Sequence, residues 1–324
     1  FVAWLVVLGL AVGSFLNVVI ARLPRDESVV RPRSRCPKCG HQLPWYENVP
    51  VVSWVFLRGK CRGCGQPISV RYVVVELITA LLFLACWKRF GWDYPLASAL
   101  VLITLLVPLV FIDAEHWVLP FELTLPGIAL GVLMAIPMGR ERLMGALLGA
   151  AIGFLGFRAM EFFGWLAFRK EALGAGDKFL VAMLGAFLTH RALLGIVFFA
   201  SVQGAVFGLL KLWLTGRAGP TDGGEAPSEE IEEAAPTMSW AFLAPGLSLR
   251  RRLLLFPYSV LLQPIPDEPK DVSGQQVEWK PGATNLPFGP WIGLAGIELL
   301  LLGEYLSQRI PLHGVGELFW GAGG

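Results

Sequence analysis

The sequence predicts an all-α polytopic integral membrane protein of about eight transmembrane helices, with one small cytoplasmic domain built on four cysteines. Three observations predict it. The 324 residues are 55% hydrophobic and 16% charged, where a soluble domain carries about 25% charged residues, and the mean hydropathy is +0.59. Apolar runs recur along the chain, most of them near the roughly 20 residues that cross a bilayer. Between the first two runs lies a polar stretch with four regularly spaced cysteines. A soluble globular class is therefore excluded. The formal net charge of +2 says little, because its distribution matters more.

The first span covers residues 1–21. It lacks the positive n-region and small-residue cleavage site of a signal peptide, and many spans follow. The chain opens at Phe1 inside this run, so an initiating Met is expected upstream. Further spans are expected at 72–88, 94–113, 122–138, 143–168, 178–189, 192–214 and 286–308, the sixth being short. This divides the chain into a first helix (1–21), a cytoplasmic domain (22–71), a membrane core (72–214), a cytoplasmic linker or insertion (215–285) and a last helix with its tail (286–324). The linker is acidic and proline-containing in "GPTDGGEAPSEEIEEAAPT" and reads as partly disordered. "SLRRRLLLFPYSVLLQP" follows, too short to span and suited to the inner membrane surface. There is no internal repeat, no nucleotide-binding glycine loop and nothing that calls for a nucleic-acid partner.

The connecting segments alternate in charge. One set, with its edges, holds 20 Lys and Arg, and the opposite set holds 6. The positive-inside rule puts the first set in the cytoplasm and the N-terminus outside.

Cys36, Cys39, Cys61 and Cys64 form C-x2-C-x21-C-x2-C, with a glycine after each pair. Zinc is tetrahedral and favours thiolates, and each C-x2-C turn aims two sulfurs at one point. Two disulfides are the alternative, disfavoured because the cytoplasm keeps thiols reduced. The domain at 22–71 is therefore expected to be zinc-binding, with a closed structural Zn2+ site. His41 is an alternative ligand, read first as a surface residue of the knuckle, and Cys86 is read as apolar packing.

The charge pattern brings two carboxylates to one face. Asp113 ends the third span in "LVFIDAEHWVLP", and Asp177 starts the sixth in "GAGDKF". Two close carboxylates cannot both ionise cheaply, so one would hold a proton. Such a pair suits peptide hydrolysis. Gly174 and Gly176 would let an extended substrate backbone approach, having no Cβ. The bland readings are interfacial charges, a helix-dipole partner for Asp177 or a transporter's proton relay. Glu115 and His116 are expected at the headgroups. Lys178 could hold Asp177 ionised or snorkel to the surface.

Five blocks in order carry a family resemblance: "GLAVGSFLNVVIARLPR", the tetracysteine loop with "WYENVPVVSWVFLRGKC", "IDAEHWVLPFELTLPG", "GAGDKFLVAMLGAFL" and "LPFGP". Together they resemble the prepilin leader peptidases, GxGD-type membrane aspartyl proteases of type IV pilus and type II secretion systems. The resemblance implies that Asp113 and Asp177 are the catalytic pair of a transmembrane aspartyl protease core. It implies cleavage of a basic leader, usually after glycine, from prepilins or pseudopilins at the cytoplasmic face of the bacterial inner membrane. It further implies N-methylation of the new terminus with S-adenosylmethionine, with Gly59, Lys60 and Glu76 as methylation-associated residues. Pilus or secretion assembly proteins would be further partners, beside the lipid bilayer. Phe121 departs from the family pattern, which often has Asp after the proline of the first motif. Lys178 follows Asp177 directly where a Lys two places on is common, and the 215–285 insertion is atypical. A peptidase without methylation, and a proton-coupled transporter or assembly scaffold, are the alternatives.

Overall fold

A computed structural model describes residues 2–36, 38–168, 174–215 and 286–309. The expectations for the 215–285 linker, its surface segment and the C-terminal tail fall almost entirely outside these residues. Among the described residues there is no strand, only two isolated β-bridges. The helices are α1 (Val2–Arg22), α2 (Val52–Phe56), α3 (Arg71–Phe90), α4 (Tyr94–His116), α5 (Phe121–Ala135), α6 (Arg140–Phe168), α7 (Asp177–Leu188), α8 (Leu193–Thr215) and α9 (Gly289–Arg309).

Five described helical segments are long and apolar enough to cross a membrane: Val2–Arg25, Tyr94–His116, Phe121–Met138, Arg140–Gly164 and His190–Thr215. The other three expected spans are helical but differ from that standard. α3 and α9 are 20 and 21 residues long, about 30 Å, and carry more charge, including Glu76, Lys88 and Arg89 in one and Glu298 and Glu304 in the other. α7 has 12 residues, about 18 Å. Large apolar side chains stand exposed along the helices, among them Val7, Leu81, Leu155, Leu209 and Trp213. Exposed apolar surface on this scale is what a lipid-facing bundle presents and a soluble monomer avoids.

The chain falls into two compact units. One comprises Phe1–Phe154, Gly176–Ser201 and Pro287–Gly324, the other Leu155–Ala175 and Val202–Leu286. The second holds a buried ion pair, Arg158 Nη1 to Glu161 Oε2 at 2.6 Å, one turn apart on α6.

The first unit is organised around α7. Every residue of α7 from Leu180 to Phe187 is buried. Lipid is as apolar as leucine, so no hydrophobic gain drives helices together there; close packing does, and small residues permit it. Gly145, Gly149 and Gly153 of α6 lie against Thr189, Gly185 and Val181. A Cβ on Gly149 would strike the Gly185 carbonyl, and one on Gly185 the Gly149 carbonyl. Gly127 of α5 faces Met183, and Gly296 of α9 faces Leu184. The same device joins α1 to α3, where Gly9 and Gly13 lie on the backbones of Ala80 and Glu76.

Close contacts gather five helix ends at one end of this unit. Asn17, near the end of α1, donates to the Tyr72 carbonyl at the start of α3 at 3.0 Å. Arg71, the first residue of α3, pairs with Glu115 at the end of α4. Gly289, which opens α9, lies on Asp113 of α4. Gly176, which precedes α7, lies on Leu119, just beyond α4. The cysteine-bearing loop enters from α1 and leaves into α3, so it is rooted at the end that carries both aspartates.

Candidate active site and metal centre

Asp113 lies in the last turn of α4. The helix starts cleanly because Asp93 Oδ1 accepts from the Tyr94 N–H at 2.7 Å, and it stops at Trp117, whose left-handed backbone (φ 60°) returns its N–H to the Asp113 carbonyl at 3.0 Å. Val118, Leu119 and Pro120 then lead into α5. Asp177 is the first residue of α7, where a carboxylate complements the helix dipole. Gly176 caps that helix, its carbonyl accepting from the N–H groups of Phe179 and Leu180.

Both carboxylates are buried, and one leucine sits between the elements that carry them. A Cβ built on Gly176 would meet Leu119 Cβ at 2.6 Å. A Cβ on Gly289 would meet Asp113 Oδ2 at 2.5 Å and Leu119 Cδ1 at 3.2 Å. Leu119 thus touches the residue before Asp177 on one side and the glycine that covers Asp113 on the other. Asp113 Oδ2 is buried with no hydrogen-bond partner. A buried carboxylate oxygen is expensive to leave unpaired, and such costs are characteristic of groups kept for chemistry.

The expected backbone-approach residues are treated differently. Gly174 is exposed and belongs to the second compact unit. The space beside Gly176 is filled by Leu119, so in this conformation its missing Cβ serves packing. Lys178 does not snorkel: it is buried, with its ammonium 5.9 Å from the Phe179 ring centre.

The four cysteine sulfurs all lie within 4.8 Å of one another. None forms a disulfide, and the contacts Cys36–Cys64 and Cys39–Cys61 are both 3.9 Å. Four thiolates around a metal at about 2.3 Å stand about 3.8 Å apart, so the cluster could hold a metal ion in its present shape. The two halves are a local repeat that the sequence reading passed over. In each, the first cysteine's N–H bonds a carbonyl beyond the turn (Cys36 to His41 at 2.9 Å, Cys61 to Gln66 at 2.8 Å). In each, a positive-φ glycine closes the turn, Gly40 at 72° and Gly65 at 69°, the left-handed region that glycine enters without strain. Bridges Arg35–Gln42 and Lys60–Pro67 flank them.

The thiols are unequal. Hydrogen bonds from the Cys39 and Lys38 backbone N–H groups bring the Cys36 thiol down to about 6. For Cys39 the His41 N–H pulls the same way, but desolvation and bonds to the Cys64, Cys36 and Cys61 sulfurs outweigh it and push the thiol up to about 11. Crowded sulfurs resist full ionisation until a cation joins them. Buried Glu47 links the halves: Oε2 meets His41 Nε2 at 3.1 Å and Oε1 accepts from Arg62 Nη1 at 3.3 Å. His41 is thus engaged by Glu47.

Of the methylation-associated residues, Gly59 is buried at φ 65° under the Trp54 ring. Lys60 is exposed. Glu76 is buried, and its Oε2 accepts from the Val51 N–H at 2.7 Å. Val51 has φ 59°, an unfavourable conformation for a β-branched residue, so Glu76 fastens a strained corner of the loop to α3.

Comparison with known proteins completes the picture. The Bacterial Peptidase A24 N-terminal domain matches residues 7–90, and the Type IV leader peptidase family matches residues 100–209. A prepilin leader peptidase/N-methyltransferase of Myxococcus xanthus (strain DK1622) is 61% identical over 313 residues, covering 96% of this chain and 93% of the relative. Proteins of the same name from Dichelobacter nodosus and Aeromonas hydrophila are 39% and 40% identical. Each covers 62% of this chain, and 79% and 77% of the relative respectively. No solved structure matches.

Proposed function

The chain belongs to the type IV leader peptidase family, and from that premise we propose that it removes the leader from prepilins or pseudopilins and then methylates the new N-terminus. It is an integral protein of the bacterial inner membrane with eight spans: α3, α7 and α9 join the five more apolar helices. Its N-terminus lies outside and its active site at the cytoplasmic face. The observation that carries the peptidase is the burial of Asp113 and Asp177 around Leu119.

Two carboxylates so placed divide the proton work. The ionised one takes a proton from a water molecule as its oxygen attacks the scissile carbonyl carbon. The neutral one gives its proton to the carbonyl oxygen. The tetrahedral species collapses as the C–N bond breaks, and a carboxyl proton passes to the departing amine.

Methylation belongs with the cysteine-bearing loop, where Gly59, Lys60 and Glu76 are the candidates. S-adenosylmethionine would supply the methyl group. Gly59 is closed off by Trp54 and one oxygen of Glu76 is taken by Val51, so these two shape the loop while exposed Lys60 is free to face a ligand.

The test uses purified chain in lipid with a prepilin-type substrate and mass spectrometry of the product. Loss of the leader plus one methyl on the new terminus is the expected mass. A product without the methyl would leave a peptidase alone, and intact substrate would contradict the reading altogether.

The metal we assign to Cys36, Cys39, Cys61 and Cys64 is structural zinc. Four thiolates leave no open coordination position. Cys61→Ser is expected to abolish binding of the single zinc ion, measured by elemental analysis, and to harm methylation more than cleavage. Folded wild-type protein, purified with its thiols reduced and free of metal, would refute the assignment.

A further inference from the structure

We infer that the short helix α2 and the turn before it form an interfacial anchor, which docks the cysteine-bearing domain on the inner leaflet of the membrane through exposed apolar side chains. The inference rests on the reading of α3 as a span with its Arg71 end at the cytoplasmic face, and not on the two aspartates. Two hydrogen bonds fix the height of α2. The Val51 N–H, just before the helix, donates to Glu76 Oε2 at 2.7 Å. The Trp54 Nε1–H, within the helix, donates to the Ile68 carbonyl at 3.3 Å. Glu76 is the sixth residue of α3, about 7.5 Å along its axis, and Ile68 lies just before α3 starts. α2 is therefore held at the level of the first turns of α3, where a span passes from water through the headgroups into hydrocarbon.

At that level α2 presents apolar side chains that the protein does not cover. Val52, Val55 and Phe56 are exposed, Phe56 to 83%, and so are Trp45 and Tyr46 in the turn before it, Trp45 to 82%. Large apolar side chains gathered in one short exposed stretch mark an interaction surface. Three features name a lipid surface as its partner. The neighbouring span is itself exposed and apolar at Val74, Leu77 and Leu81, so the lipid-facing surface of α3 begins at the same height. Trp and Tyr beside aliphatic residues are the composition that settles at a bilayer–water boundary. Exposed Arg58, Lys60 and Arg62 follow α2 directly, and residues 22–71 carry ten Lys and Arg against three Asp and Glu, a charge that suits anionic headgroups. α2 is far too short to cross lipid, so the place open to it is the interface.

The experiment uses the full chain reconstituted in vesicles of phosphatidylethanolamine and phosphatidylglycerol. The photo-crosslinker benzoylphenylalanine stands in place of Phe56, of Val55 or, as the reference, of Leu81 on α3. All three side chains are exposed, so the replacement leaves the packing intact. Irradiation followed by mass spectrometry reads what each position touches. A mass gain of one phospholipid is expected at Leu81 and at Phe56 or Val55, with yields of the same order. Phospholipid at Leu81 but at neither Phe56 nor Val55 would overturn the anchor and leave α3 as a span. With a prepilin-type substrate added, a lipid adduct at Phe56 that gives way to a substrate adduct would assign this face to the substrate and overturn the inference. No phospholipid at Leu81 would overturn the reading of α3 itself, and the inference with it.

Discussion

An Asp113→Asn chain is expected to insert and fold, yet to remove leaders about 1000-fold more slowly or not at all. The asparagine has the same shape but neither takes nor gives the proton, and general acid–base catalysis by one group is worth about 100- to 10000-fold. The stability half of the result follows from the site. Asp113 is buried against the Gly289 backbone, and an asparagine of the same shape fits that place, so the thermal midpoint should change little. Asp177→Asn should lose as much activity, but its stability is less protected because Asp177 has partners within the fold. Rate and thermal midpoint measured on one preparation check both halves.

Gly185→Leu is expected to do the opposite: it destroys the fold and activity only as a consequence. The Gly185 Cβ position is occupied by the carbonyl of Gly149. Backbone cannot rotate aside as a side chain can, so α6 and α7 must separate. That forfeits the packing of a helix buried on all sides, a loss of more than about 4 kcal/mol and at the extreme of single substitutions. Leu184→Met, on the next residue, conserves volume and should cost less than about 1.5 kcal/mol. Yield of monodisperse protein in detergent and its thermal midpoint separate the two. A stable Gly185→Leu chain would show that the α6–α7 contact does not hold α7 in place.

The parts legible in the sequence were those written in hydropathy, charge and cysteine spacing. Alternating charge put the ends of Asp113 and Asp177 on one side, and the helix ends do gather at one end of the first unit. The cysteine spacing foretold a four-sulfur cluster with sulfurs at contact distance. α7 was legible as a helix but not as a buried one, because burial arises from glycines on α5, α6 and α9 that are remote in sequence. Leu119 gave no signal: a leucine before a proline is unremarkable until Gly176 and Gly289 close on it. The space at Gly176 was read as room for substrate, and the leucine that fills it is visible only in three dimensions. Lys178 was left between two roles by the sequence, and its burial removes the snorkelling one. Glu47 was missed although "WYEN" lies inside the cysteine loop. A lone acid between two cysteine pairs that each carry a nearby His or Arg was the available clue. The twin turns were missed because "RCPKCGHQ" and "KCRGCGQP" share only the cysteines, a glycine and the flanking basic residue, while the likeness resides in hydrogen bonds.

The claim that Asp113 and Asp177 act as one unit is tested most directly by the leader-removal rates of Asp113→Asn, Asp177→Asn and the double variant, reconstituted in lipid at equal folded concentration. Groups that share one proton-transfer cycle are non-additive, so the account predicts that each single variant loses about 1000-fold or more and the double variant no more than either. Wild-type rates in either single variant, or losses that multiply in the double, would contradict it.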